Sequence, residues 1–487
     1  MKLFKFTRRE TPQGEWPTFH EMTFIRSWGR EAFRICDATA GVIILGATGS
    51  GKTSGPGRHT AYGYLSAGFG GLILCSKPEE RSQWERWARD TGRSDDLVII
   101  DKDGDHRFNF LDWESSRIGS GAGLTLNVVA LLDEVAGAIS GDVGKADSGG
   151  THQFFKQALH QLFVSLVDLP ILAGLEVSLL LLRSILNSAP LTPEQIENQD
   201  WQAQSACFAI LREADHATLL ANADIRASFE ECRAYWLIEF PNLSERTRSI
   251  ITLSFSMLVR PFITHPLRRL FSTDTNITPE ATFDGRIIIV DLPIQEFRQV
   301  GRICQLVWKY CFQVAVLRRV KPEGGHLRPV FLWADECQNI VSEFDSEYQA
   351  VARSAGGATV YLTQNRESLI RVLGSEPAVA SLLANLQTKI FCQNAGETNE
   401  WASKLLGDRY VNVTGTNVGN GDKDHHHAGV STNEQHRRYV EPSAFTTLKR
   451  GGEVYGRQVE AIVYKGGTLF TSSTGELLPY KLLTFMQ

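Results

Sequence analysis

Seven short apolar runs punctuate the chain, and most are followed by a stretch whose apolar positions recur at helical spacing. They are "GVIIL" (41–45), "GLILC" (71–75), "LVIID" (97–101), "RIIIVDL" (286–292), "PVFLWA" (329–334), "ATVYLT" (358–363) and "TKIFCQ" (388–393). Continuous apolar strands alternating with helices predict an α/β fold with a mainly parallel central sheet covered on both faces. In such folds the ligand crevice lies at the carboxyl ends of the strands.

The third and fourth runs are separated by about 185 residues without a comparable strand. "THQFFKQALHQLFVSLV" carries apolar residues at 154, 155, 158, 159, 162, 163 and 166, one helical face. "LSERTRSIITLSFSMLVRPFI" (243–263) predicts a second helix capped at Ser244. The pattern therefore divides the chain into four parts. Residues 1–37 are an N-terminal segment without a transmembrane helix, 38–111 and 245–487 form a discontinuous α/β domain, 112–244 form an all-helical domain, and 413–438 are a mobile polar loop. The most apolar window, 162–186, contains Asp168, Pro170 and Glu176, so it reads as a buried helical hairpin and not as a membrane span.

Composition changes this picture little. A net charge of −5 gives no sign of a nucleic-acid binder, so any such surface is a local patch. Eight scattered cysteines form no C-x-x-C pair, which fits a reducing cytoplasm without disulfides or a zinc site. His425, His426 and His427 read as part of the polar loop ahead of any metal role.

"GATGSGKT" follows the first strand and matches G-x-x-x-x-G-K-[ST]. Glycines let the backbone curl so that its N–H groups face phosphate oxygens, and the following helix aims its positive end at the same place. The expected phosphate set is Gly46, Ala47, Thr48, Gly49, Ser50, Gly51, Lys52, Thr53 and Ser54. Lys52 would reach the β- and γ-phosphates and the Thr53 hydroxyl would ligate Mg²⁺. The bland alternative is a coincidental glycine-rich turn.

The strand "FLWA" ends in two carboxylates, Asp335 and Glu336, which are costly to bury without a positive partner. Beside a P-loop, Asp335 would hold Mg²⁺ (through water or directly) and Glu336 would be the base for the attacking water. The alternative is a strand running into a solvated loop. Gln364 ends the next strand and reads as a γ-phosphate sensor or as a turn cap. Arg353 reads as a phosphate-stabilising guanidinium or as a solvated helix-end arginine.

These residues, in this order around a helical insertion, resemble the type IV coupling proteins, the RecA-like hexameric ATPases of conjugative DNA transfer. The resemblance spans roughly residues 38–470. It includes "SKPEERSQWERWARDTG", the turn with Asn109, "LWADECQNI", "TQN", "LLANLQTKIFCQNAGETNEWASKLLGDR" and "EPSAFTTLKRGG". Cys75 stands where the family usually has Asp, and the family's N-terminal transmembrane helices have no counterpart in residues 1–37. The resemblance implies a RecA-like fold, ATP and Mg²⁺ as cofactors, catalytic roles for Lys52, Glu336 and the sensor Gln364, and Arg353 as an arginine finger on a neighbouring subunit. It also implies a homo-oligomeric, hexameric ring that binds DNA.

Candidate DNA contacts are Arg26, Arg30 and Arg34, Arg318 and Arg319, and Arg437 and Arg438. Each cluster also fits a solvated face. The expected function is a soluble, DNA-stimulated ATPase that moves or remodels DNA, in mobile-element transfer or a DNA-processing or defence system. The competing expectation is a nucleotide-gated scaffold that recruits a protein partner through its helical domain with little turnover.

Overall fold

A computed structural model describes residues 23–25, 33–119, 124–140, 150–321, 325–420 and 426–487. Arg26, Arg30, most of the N-terminal segment and His425 lie outside these residues.

In chain order the strands that organise the fold are β1 (Val42–Leu45), β2 (Gly70–Leu74), β3 (Leu97–Ile100), β4 (Ile287–Val290), β5 (Val330–Ala334), β6 (Gly357–Thr363), β7 (Thr388–Phe391), β8 (Asp408–Asn420), β9 (His426–Arg438), β10 (Gln458–Lys465) and β11 (Tyr480–Met486). All seven apolar runs are strands. The helices used below are α1 (Arg58–Ser66), α2 (Glu80–Asp90), α3 (Gly150–Leu172), α4 (Leu179–Ser188) and α5 (Glu245–Val259). The chain packs as two compact units, one of residues up to 71, 83–95 and 316–487, the other of residues 72–82 and 96–315.

In the first unit the strand order is β11-β10-β7-β1-β6-β5. β7, β1, β6 and β5 are parallel, and β10 and β11 extend them as antiparallel strands. β1, β5, β6 and β7 are buried along their whole length, as their unbroken apolar character predicts. The register sets Leu45 beside Thr363 and Ala334 beside Tyr361. The two residues after Ala334 therefore come level with the end of β6 and the loop that leaves β1. On β5, Phe331 and Trp333 share one face, and Trp84 of α2 stacks on the first and meets the second edge-on, with ring centroids 5.8 and 5.1 Å apart.

The second unit holds β2 from Leu72 onward, β4 and β3 in that order, with β3 and β4 parallel. Arg81 bridges Asp101 and Asp291, just beyond β3 and β4, at 3.1 and 3.0 Å. Among the described residues no strand lies between Ile100 and Ile287. Ser244 caps α5 by accepting the Thr247 N–H. The window 162–186 forms the end of α3, a turn and most of α4. Trp236 donates to the Ser165 carbonyl at 3.1 Å, and the Thr125 hydroxyl bonds the carboxylate of Asp168. Among the described residues no helix is long and apolar enough to cross a membrane. Asn109 is structural: it caps the helix at 110–115, and its amide donates to the Val177 carbonyl at 3.0 Å.

One expectation is corrected. Most of residues 413–438 do not form an irregular loop but belong to β8 and β9, a two-stranded antiparallel ribbon pairing Asp408 with Arg438 through Asn420 with His426. Strand-favouring Val and Thr occur along both arms of the sequence (Val411, Val413, Thr414, Thr416, Val418; Val430, Thr432), and polar neighbours interrupt them, since none of the ribbon residues whose burial is described is buried. His426 and His427 fall in β9.

Candidate functional site

The loop after β1 hangs from the strands on either side. The Gly46 N–H donates to the Thr363 carbonyl at 3.2 Å and the Ala47 N–H to the Gln393 carbonyl at 2.9 Å. Gly49 and Gly51 sit at φ 74° and 80°, which favours glycine. A Cβ on Gly51 would also come within 2.5 Å of Val459 and 2.8 Å of the Arg450 carbonyl. Among the described residues, the N–H groups of Thr48, Gly49, Gly51 and Lys52 make no backbone hydrogen bond. Unused donors on one curled loop are what a polyphosphate requires.

The helix that follows begins with a wide turn over Thr53–Gly57. Pro56 has no N–H to offer the Lys52 carbonyl, so the Gly57 N–H takes it at 2.9 Å, five residues on. The hydroxyl of Ser54 accepts from the Gln487 amide at 2.5 Å, so this member of the expected phosphate set is engaged by another side chain.

The Asp–Glu pair faces this loop. Glu336 adopts φ 53°, ψ 47°, a left-handed conformation uncommon outside glycine and asparagine. That turn lets neighbouring side chains address one site. The Thr53 hydroxyl donates to Asp335 Oδ2 at 2.6 Å, and Lys52 Nζ lies 3.2 Å from Glu336 Oε1. Asp335 Oδ1 also accepts the Glu336 N–H at 2.9 Å. Lys52 and Glu336 are 6% and 8% exposed, so each supplies the countercharge that makes the other's burial tolerable. The Thr53 and Asp335 oxygens are hard donors side by side and suit Mg²⁺, which takes oxygen ligands and keeps several waters. Among the described residues no cluster of three or more His, Cys, Asp or Glu offers a closed metal cage.

The other expected residues are placed less uniformly. Gln364 follows β6 at the same end of the sheet, and its carbonyl accepts the Asn394 amide at 2.7 Å. Sequence reasoning missed Gln338, whose amide donates to Glu336 Oε2 at 2.8 Å and accepts from the Thr363 hydroxyl at 2.9 Å. Its only signal was its place two residues beyond Glu336. Arg353 precedes β6, at the opposite end of that strand from Thr363, and is exposed. It lines a polar cavity with Asp37, Gln349 and Lys465.

Of the basic clusters, Arg319 is not a surface contact. Its guanidinium donates to the carbonyls of Ala355 and Arg328, and burial lowers its pKa to about 10. Arg34 is exposed but sits at the end of a two-residue strand, so the described part of its cluster is not helical. Arg437 is exposed, and Arg438 pairs loosely with Glu400 at 3.8 Å. Cys75 is fully buried, with its thiol pushed well up by burial.

Comparison with known proteins gives two positive findings. Residues 329–450 match the family described as the TraM recognition site of TraD and TraG. The whole fold is similar to that of TrwBdeltaN70, a bacterial conjugative coupling protein, in its unbound monoclinic form (TM-score 0.57, 16% identity, 92% of this chain and 84% of that one). It is equally similar to the plasmid coupling protein TrwB in complex with the non-hydrolysable ATP analogue ADPNP (0.56, 15%, 92% and 85%) and with ADP and Mg²⁺ (0.57, 15%, 93% and 86%). No curated protein sequence matches the chain.

Proposed function

We propose that this chain, which has the RecA-like α/β fold of the conjugative coupling proteins and carries their TraM-recognition segment, is a Mg²⁺-dependent ATPase that works as a homo-oligomeric ring on DNA. The observation that carries the reading is the double pairing of the P-loop with the Asp–Glu strand, Thr53 to Asp335 and Lys52 to Glu336. TrwB complexes with ADPNP and with ADP and Mg²⁺ support ATP and Mg²⁺ as the ligands.

In this reading the free N–H groups of the loop hold the phosphates, and Lys52 turns from Glu336 to the β- and γ-oxygens. Thr53 and Asp335 would hold Mg²⁺, which would supply positive charge to offset that of the phosphates. Glu336, relieved of its lysine, orients a water and takes its proton as the water oxygen bonds the γ-phosphorus and the bond to the β-phosphate oxygen breaks. Gln364, at the end of β6, senses the γ-phosphate. Arg353 stands at the other end of a seven-residue strand, about 20 Å along it, and so serves a neighbouring subunit's nucleotide. The hexameric ring, DNA translocation and a cytoplasmic location belong to the same proposal. The eight free cysteines suit a reducing compartment. The family description of residues 329–450 points to that segment, alongside the helical domain, as the place for a protein partner.

ATP turnover measured with and without DNA tests the proposal. Strong stimulation by DNA is the expected result. Slow hydrolysis indifferent to DNA contradicts the motor and leaves the nucleotide-gated scaffold.

A further inference from the structure

The Glu336 carboxylate is held on opposite oxygens, by Lys52 at Oε1 and by Gln338 at Oε2. A carboxylate only accepts, so Gln338 must present its amide nitrogen to it. That orientation sends the Gln338 oxygen to the Thr363 hydroxyl, which donates at 2.9 Å. A flipped amide would set its oxygen against the carboxylate and lose the contact to Glu336. Thr363 is itself a junction: it is fully buried, and its carbonyl accepts the N–H of Gly46, the first residue of the P-loop. A closed circuit of hydrogen bonds and covalent chain thus runs from the P-loop through Thr363 and Gln338 to Glu336 and back to Lys52.

We propose that Gln338 is a positioning residue for hydrolysis, aiming the Glu336 carboxylate and tying its placement to Thr363 and the P-loop. The inference rests on the reading of Glu336 as the base. Of these two partners, Lys52 is the one that phosphate draws away, and Gln338 is the one that stays to orient the carboxylate. Outer partners of this kind commonly cost ten- to a hundredfold in activity when removed from metal sites, and a loss of about tenfold is the scale expected here.

The test uses the full chain with DNA present. Gln338→Leu removes both hydrogen bonds at similar volume, and Thr363→Val removes the hydroxyl that donates to Gln338, which also lies 3.5 Å from the Asn365 carbonyl, with almost no change in shape. Each is expected to lower kcat about tenfold or more while KM and binding of a fluorescent ATP analogue stay within about twofold, because the loss falls on the turnover step. The double variant is expected to be no worse than Gln338→Leu, since Thr363 acts through it. Adding Gln338→Leu to Glu336→Gln should cost nothing further. Wild-type kcat in Gln338→Leu, additive losses in the double variant, or loss of nucleotide binding with turnover each overturns the positioning role. If Glu336→Gln is inactive while Gln338→Leu is fully active, the base reading stands and this inference falls. An active Glu336→Gln overturns both.

Discussion

Glu336 carries a backbone strain on the order of 1 kcal/mol, the usual cost of a left-handed conformation for a residue with a Cβ. On a straight strand Asp335 and Glu336 would face opposite sides of the sheet; the turn brings one to Thr53 and the other to Lys52. Gly51 shows the same economy in the loop, with φ 80° and no room for a Cβ. Gly51→Ala is expected to destabilise the protein by about 1–3 kcal/mol and to weaken nucleotide binding, read by thermal unfolding and by titration with an ATP analogue. Lys389 gives a pH signature. Burial lowers its pKa to about 8, although its ammonium donates to the Leu386 carbonyl and lies 5.6 Å from the Tyr464 ring. A base with a depressed folded pKa binds fewer protons folded than unfolded between about pH 8 and its unfolded value near 10.4, so stability rises with pH across that window. Lys389→Met should therefore stabilise by about 1–3 kcal/mol at pH 7 and by less at pH 10. That Lys52 and Thr53 meet Asp335 and Glu336 was legible in the sequence, because a phosphate loop after one strand and an acidic pair after another fall at the same end of one parallel sheet. Gln338 was not, because its partner Thr363 is 25 residues away and only the fold joins them.

At the scale of elements, β1, β5, β6 and β7 were legible because burial on both faces writes them as unbroken apolar runs. β10 and β11 were not, since half-buried polar positions in β10 and exposed ones in β11 interrupt the apolar ones. The ribbon of β8 and β9 escaped notice for a stronger form of the same reason. The turn before α1 depends on Pro56, which the P-loop pattern does not specify. Packing also sets limits that composition cannot show: a Cβ on Gly71 would lie 2.4 Å from the ring of Phe331, next to the Trp84 that covers β5. Gly71→Ala is expected to cost about 1–3 kcal/mol and to lower the melting temperature, and unaltered unfolding would contradict the packing assigned to β5.

For the whole molecule, the proposed ring makes a claim that no single chain can satisfy. Arg353 and Lys52 act on one nucleotide only if they come from different subunits. Arg353→Ala and Lys52→Ala are each expected to reduce turnover about a hundredfold or more, as loss of a phosphoryl-transfer arginine or P-loop lysine does. Mixing the two variants should restore part of the activity, because some sites then pair an intact lysine with an intact arginine. A mixture no more active than its components contradicts the shared site. The central claim, that Asp335 and the P-loop bind while Glu336 turns over, is tested most directly by Glu336→Gln. Binding of an ATP analogue with Mg²⁺ and steady-state phosphate release are measured side by side. The account predicts nucleotide affinity within about twofold of wild type and turnover reduced about a hundredfold or more, the scale of a lost general base. Phosphate release at the wild-type rate would contradict it.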